Sequence, residues 1–250
     1  MIIAYHRPDK LAAALELLSD PMGNTVPMGG GTVLNRPGGE MLAIVDLQGL
    51  ALNVLEKTGR ILKIGATSTL QELLQWAEIP AGLAAAIQAE TNFNLRQVAT
   101  VAGTLVSATG RSTFATAMLA LDANLTLLPG DETIGLSDCL ATRPDCLRGR
   151  LISKVTIPAN IKFAYQAVAR TPEDLPIVCV AIAQWPSGRT RVALGGYGTS
   201  PLLAMDGPEP GGVELAARNA FHEAADQWAS AAYRADVAAT LARRALTGLA

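Results

Sequence analysis

Only two histidines, His6 and His222, occur in 250 residues. His6 falls in a first strand beside Pro8 and His222 in a late helix, and both read as surface or structural residues. The chain has no GxSxG elbow, HExxH helix or GxxxxGK[ST] loop. That removes support for serine-hydrolase, zincin and P-loop chemistry. No GxGxxG follows the first strand either, so a Rossmann-type dinucleotide site has no support. Cys139, Cys146 and Cys179 fit no zinc or iron–sulfur spacing and read as small apolar fillers.

Two stretches of small residues remain. The first is Met28-Gly29-Gly30-Gly31-Thr32. Each glycine loses roughly 0.5–1 kcal/mol of ordering entropy relative to alanine, so three in succession suggest a compensating need. One such need is a sharply bent backbone whose successive N–H groups face an anion, with the Thr32 hydroxyl beside them. A plain tight turn is the alternative. The second stretch is Thr100-Val101-Ala102-Gly103-Thr104. Small side chains there would let a flat or polyphosphate-bearing ligand lie against the main chain; a bulge in a packed sheet would use the same residues.

The elements that must position these stretches follow from periodicity. Leu11, Leu15 and Leu18 recur at helical spacing. Pro21, Gly23 and Pro27 break that helix. Residues 41–47 and 61–65 read as strands, and Thr69 with Glu72 forms a capping-box pattern at the next helix start. Pro80 opens a further helix over AGLAAAIQAE. Residues 98–107 combine β-branched residues with Gly103, which would mark a bulge or a close backbone approach. Ser112 or Thr113 would cap the apolar helix that follows, and residues 124–128 and 150–158 read as strands. Strand and helix alternation to about residue 160 argues α/β. Beyond it, FAYQAVA, PIVCVAIAQW and TRVALGGYG read as three antiparallel strands with turns at TPED and PSGR, and residues 213–249 read as helical. Trp228 and Tyr233 read as anchors in that helical core, with a partner-facing position as the alternative.

Half the residues are hydrophobic and the formal charge is −2. Such a chain buries a sizeable core unaided and carries no basic patch for nucleic acid. No run of 18 or more apolar residues suggests a membrane span. Few cysteines and no secretory leader lead to the expectation of a cytoplasmic protein.

Taken together, the stretches resemble one family, the FAD-binding subunits of molybdenum hydroxylases of the xanthine dehydrogenase and carbon monoxide dehydrogenase type. AYHRP resembles their YxRP opening, PMGGGTVLN their AGGTxL loop, IVDL their LVDI strand and IGATST their IGAxxT segment. RQVATVAGTLVSAT resembles RNxATIGGNLxxA. LALDANLTL, RLISKVTIP, VALGG and YRADVAATLARRAL follow in family order, so the resemblance spans essentially the whole chain. It implies an α+β fold: two α/β subdomains forming a PCMH-type FAD-binding domain, then a three-stranded antiparallel sheet with helices. The implied domains are residues 1–158, with subdomains of about 1–55 and 56–158, and residues 162–250.

The resemblance also implies roles. Gly29, Gly30, Gly31, Thr32 and Val33, with Met28 before them, would wrap the FAD pyrophosphate with backbone amides. Thr100, Ala102, Gly103 and Thr104 would form the second wall, near the diphosphate and the flavin ring. Molybdopterin would sit on a large partner subunit and iron–sulfur clusters on a small one. Electrons would pass from those clusters through FAD to an acceptor such as NAD, a quinone or oxygen. Several positions depart from the pattern. Thr104 replaces an asparagine, Ala102 the first glycine of a pair, and Gln97 the asparagine of an RN pair. Thr113 stands where many members have a flavin-binding aspartate, and Gln166 where some have a lysine. Residues 109–112, Thr-Gly-Arg-Ser, replace an acidic-proline turn, and the Arg111 this introduces would either pair with a flavin phosphate or stand solvated in the loop. Two other readings stay open on these grounds: a scaffold that keeps the fold without flavin, and an independent flavin oxidase, for which no histidine or tyrosine base is evident.

Overall fold

Three sheets succeed one another along the chain in a computed structural model that describes residues 1–19, 24–34 and 41–249. The first is parallel, in the order β1-β3-β2, built from β1 (Ile2–His6), β2 (Thr25–Met28) and β3 (Leu42–Asp46), with α1 (Leu11–Leu18) after β1. The second is antiparallel throughout, in the order β4-β5-β8-β6-β7. Its strands are β4 (Leu55–Thr58), β5 (Ile61–Gly65), β6 (Asn124–Leu128), β7 (Glu132–Gly135) and β8 (Leu151–Pro158). Five helices lie between β5 and β6: α2 (Leu70–Gln75), α3 (Ala81–Glu90), α4 (Phe93–Arg96), α5 (Val101–Ser107) and α6 (Thr113–Ala120). The short helices α7 (Leu136–Ala141) and α8 (Arg143–Cys146) join β7 to β8. The third sheet is antiparallel, in the order β12-β11-β10-β9, from β9 (Lys162–Val168), β10 (Val178–Gln184), β11 (Thr190–Gly195) and β12 (Leu202–Gly207). Helices α9 (Val213–Ala220) and α10 (Ala231–Thr247) close the chain.

The clearest local signals hold. Thr69 accepts from the Glu72 amide while Glu72 accepts from the Thr69 amide, so the reciprocal cap at α2 is formed. Ser112, not Thr113, caps α6 by accepting from the Ala115 amide. The breakers Pro21 and Gly23, and Asn35 at the end of the first motif, lie outside the described residues.

Sheet three explains why β10 reads as an unbroken apolar run. Val180 and Ile182 face α9 and α10 in one core, while Ala181 and Ala183 face the main core that contains α6. A strand covered on both faces loses the alternation of a half-exposed one. The alanines let α6 approach closely, and all eight α6 residues are buried.

Four expectations need correction. The alternation to residue 160 is parallel only in the first sheet; the second is antiparallel, so the architecture is α+β. The third sheet has four strands rather than three, because LLAMDG, which lacks any β-branched residue, pairs with β11. Residues 98–107 form no bulged strand. One isolated bridge, Thr69 to Thr100, is all the β-structure present, and α5 follows because Thr100 supplies a side-chain cap. Trp228 and Tyr233 are not helix-core anchors: they are 41% and 44% exposed. Among the described residues no helix is long and apolar enough to cross a membrane.

Candidate functional site

The first glycine stretch begins where β2 ends, at Met28 opposite Asp46 of β3. Asp46 is buried and accepts hydrogen bonds from the Tyr5 hydroxyl and, at 2.9 Å, from the Gln48 amide. The Leu47 amide donates to the Met28 carbonyl at 2.9 Å, and the Gln48 side chain donates to the Gly29 carbonyl at 3.5 Å. Both carbonyls are therefore turned toward the β3 side. Gly31 has φ +68°, a left-handed conformation that glycine adopts without steric cost. Among the described residues, the amides of Gly29 through Val33 donate to no protein group. Thr32 and Val33 are exposed.

The second stretch differs in this respect. Thr100 caps α5, its hydroxyl accepting from the Gly103 amide at 3.2 Å. The Val101 amide donates to Ser68 at 2.8 Å, the Ala102 amide to Ala66 at 3.1 Å and the Thr104 amide to the Thr100 carbonyl at 2.9 Å. The Thr104 hydroxyl also turns back to the Thr100 carbonyl, at 2.9 Å. Each amide from Val101 to Thr104 thus has a partner within the protein.

These stretches meet. A Cβ placed at Gly30 would overlap the Val98 carbonyl oxygen, and one at Gly29 would overlap the Thr100 hydroxyl and lie 2.9 Å from its Cγ2. No real side chain tolerates the approach of Gly30 to backbone, so glycine is required there for proximity rather than for φ, while at Gly29 the obstacle is the Thr100 side chain. The segment 98–100 that receives Gly29 and Gly30 leads directly into α5, and its position is fixed by the bond from the Leu70 amide to the Ala99 carbonyl, 2.8 Å.

Three of the remaining candidates are placed elsewhere. Thr113 is fully buried; its hydroxyl donates to the Ala86 carbonyl at 2.7 Å and to Glu90 at 3.0 Å. Arg111 donates through Nε to the Pro176 carbonyl at 3.1 Å and through a terminal nitrogen to Leu175, and its guanidinium lies 4.9 Å from the Trp228 ring centre. Its partners among the described residues are carbonyls and an aromatic face. Gln166 is exposed on the face of β9 that also carries Ala164, which packs toward the α10 core, whereas Tyr165 faces the main core. The loop holding Arg111 is itself fixed from sheet three. The Gly196 amide donates to the Gly110 carbonyl at 2.7 Å, the Gly110 amide donates to Gly198 at 3.1 Å, and a Cβ at Gly110 would overlap the Tyr197 carbonyl.

Asp46, Gln48 and Glu90 contribute without having been singled out from sequence. An aspartate inside the apolar run LAIVD is a signal in itself, since such residues are rarely buried unless paired. Glu90 gives no such signal, standing at the end of an alanine-rich helix. Half-buried, it accepts from the Phe114 amide at 2.8 Å and from the Ser112 and Thr113 hydroxyls, so a carboxylate from α3 satisfies the N-terminus of α6. Burial pushes its carboxyl above the ordinary value, against the lowering effect of those three donors.

Comparison with known proteins gives a consistent picture. Residues 1–160 match the model of a family described as the FAD binding domain in molybdopterin dehydrogenase. YgfM of Escherichia coli strain K12 is 30% identical over 241 residues, which cover 94% of this chain and 91% of the relative. YgfM of Escherichia coli O157:H7 matches with the same identity and coverage. Among solved structures, quinoline 2-oxidoreductase from Pseudomonas putida 86 aligns with a TM-score of 0.82 at 19% identity, over 98% of this chain and 96% of its own. A carbon monoxide dehydrogenase from Oligotropha carboxidovorans aligns with a TM-score of 0.82 at 21% identity, again over 98% and 96%. At those identities the two structures establish a common fold.

Proposed function

Because the chain belongs to the family of FAD-binding domains of molybdopterin dehydrogenases, which are oxidoreductases, we propose that it is the electron-transfer subunit of a molybdenum hydroxylase. In this reading it takes electrons from iron–sulfur clusters on a small partner subunit and passes them to an external acceptor. A large partner subunit carries the molybdopterin at which substrate is oxidised.

FAD is the cofactor of this family, and the first glycine stretch fits it. Five consecutive amides, Gly29 to Val33, are without a protein acceptor among the described residues, and Gly29 and Gly30 leave no side chain between themselves and residues 98–100. That arrangement is the observation that carries the proposal. Unpaired amides on a bent backbone supply positive potential to a pyrophosphate without a lysine or arginine. Bound FAD would supply the redox chemistry. The protein's part is to bind and orient it. Met28 to Val33 hold the pyrophosphate. Thr100 to Thr104, their own amides satisfied, form a neutral wall that excludes water beside it. Residues 1–158, as subdomains of about 1–55 and 56–158, make up the cofactor-binding part, and residues 162–250 brace it.

The test is the absorption spectrum of the purified chain. Two flavin bands in the near ultraviolet and blue are expected, stoichiometric with protein and bleached by dithionite. A colourless protein that also fails to take up added FAD would overturn the reading.

A further inference from the structure

Two of the three cysteines are not isolated fillers. Cys139 on α7 and Cys146 at the end of α8 bring their sulfurs to 3.3 Å, with Cys139 buried and Cys146 half-buried. A disulfide needs about 2.05 Å between sulfurs, so closure asks for a movement of little more than an ångström in two short helical turns. The pair is held in register by Arg143 between the two cysteines. Its guanidinium donates to the Val106 carbonyl at 3.1 Å and to the Ala108 carbonyl at 2.5 Å, pinning the α7–α8 hairpin to the end of α5. The third cysteine, Cys179, is fully buried in β10 beside Thr116 and far from this pair in the sheet order.

We infer that Cys139 and Cys146 form a redox-active dithiol that a hydroperoxide converts to an intrachain disulfide. The roles divide by exposure. Cys146 is the more exposed residue of the two, so its sulfur meets the oxidant: its S–H and the hydroperoxide O–O bond give a sulfenic acid, S–OH, and an alcohol or water. The Cys139 sulfur then attacks the Cys146 sulfur. The S–S bond forms, the S–O bond breaks, and water leaves with the Cys139 proton. Overall, two electrons and two protons pass from the thiols to the hydroperoxide. Burial, with Cys146 adjoining, pushes the Cys139 thiol up to about 12, which keeps it unreactive while both thiols are reduced. Burial is the largest of those causes and Cys146 the next, while the Arg143 charge opposes both by favouring the Cys139 thiolate. This inference stands on the α7–α8 geometry and does not depend on FAD binding.

The experiment treats the reduced full chain with a small excess of hydrogen peroxide and then counts thiols in denaturant. The count should fall from three to one, with the mass of the chain lower by two hydrogens, and the tryptic peptide of residues 112–148, which carries both Cys139 and Cys146 because trypsin does not cut between Arg143 and Pro144, should be lighter by those same two hydrogens. In Cys139→Ser the resolving sulfur is gone, so Cys146 should accumulate as a sulfenic acid that dimedone traps. In Cys146→Ser, a change at a half-buried site, both remaining thiols should survive the same treatment. Three thiols persisting in the wild type would overturn the proposal. So would a gain of oxygen without the two-hydrogen loss in peptide 112–148, or a link that joins Cys179 or two chains.

Discussion

The two glycine-bearing stretches look alike in sequence and behave oppositely in the structure. In Gly29 to Val33 the amides have no protein acceptor among the described residues, and the carbonyls of Met28 and Gly29 are held by Leu47 and Gln48. In Val101 to Thr104 every amide is engaged, by Ser68, Ala66 and Thr100. The difference arises from what each stretch follows. The first leaves a parallel strand and bends through a left-handed glycine, which turns donors outward. The second enters a helix whose cap and neighbouring segment take up the first-turn donors that a helix N-terminus would otherwise offer. A small-residue motif therefore has two separable uses, as a source of free donors and as room for close approach. Gly30 serves the approach, and the run from Gly29 to Val33 supplies the donors.

Breaking the approach should have the largest effect. Gly30→Ala puts a methyl group into the Val98 carbonyl, and FAD affinity should fall at least about 100-fold, ~2.7 kcal/mol by titration of the apoprotein. An affinity within threefold of wild type would mean that residues 98–100 do not shape the site. Arg111→Ala comes next. It removes two charge-assisted bonds to carbonyls and a stacking contact, so urea denaturation should show about 2 kcal/mol of lost stability. FAD affinity at low salt should stay within threefold. A tenfold loss that vanishes at high salt would instead place Arg111 on a phosphate and end the division between donor stretch and neutral wall.

Thr100→Val keeps the shape that Gly29 packs against but deletes the α5 cap. Stability should drop about 1 kcal/mol while FAD affinity is nearly unchanged. A large affinity loss would show that the second stretch contributes polarity after all. The smallest effect is a pH dependence at Glu90. Burial raises its folded value above the ordinary 4.5, so the folded chain holds this proton more tightly than the unfolded chain. The resulting stabilisation is complete below 4.5 and is lost as pH rises through the folded value. Wild-type stability relative to Glu90→Gln should accordingly decline across that window, followed by denaturation at a series of pH values. A flat difference would remove Glu90 as a buried cap of α6.

Much of the framework was legible because its signals are local. The leucine spacing of α1, the reciprocal cap at Thr69 and Glu72, and the β9 to β11 run each depend on neighbours in sequence. What failed depended on distant partners. Residues 98–107 carry β-branched residues, and the Thr100 cap together with the bonds to Ser68 and Ala66 makes them a helix. LLAMDG becomes a strand because β11 offers an edge. Trp228 looked like a core residue, yet it lies under Arg111 and Arg170 at the surface. In the site, the glycines announced themselves through their cost. Away from the glycines, Thr113 read as a cap or a flavin-binding position, and its partners on α3, more than twenty residues earlier in the chain, gave no signal, nor did Glu90.

The burial of α6 has a practical corollary for anyone designing a minimal fragment. The family match ends at residue 160, and truncation there would look natural. Such a piece would shed the strands that cover α6, laying bare the flank of that helix which packs against Ala181, Ala183 and Ala193. It would also cut the bonds by which Gly196 and Gly198 hold Gly110. The shortened polypeptide would be expected to aggregate on expression, and its recovery in soluble form would require co-expression with residues 162–250 as a complementing half.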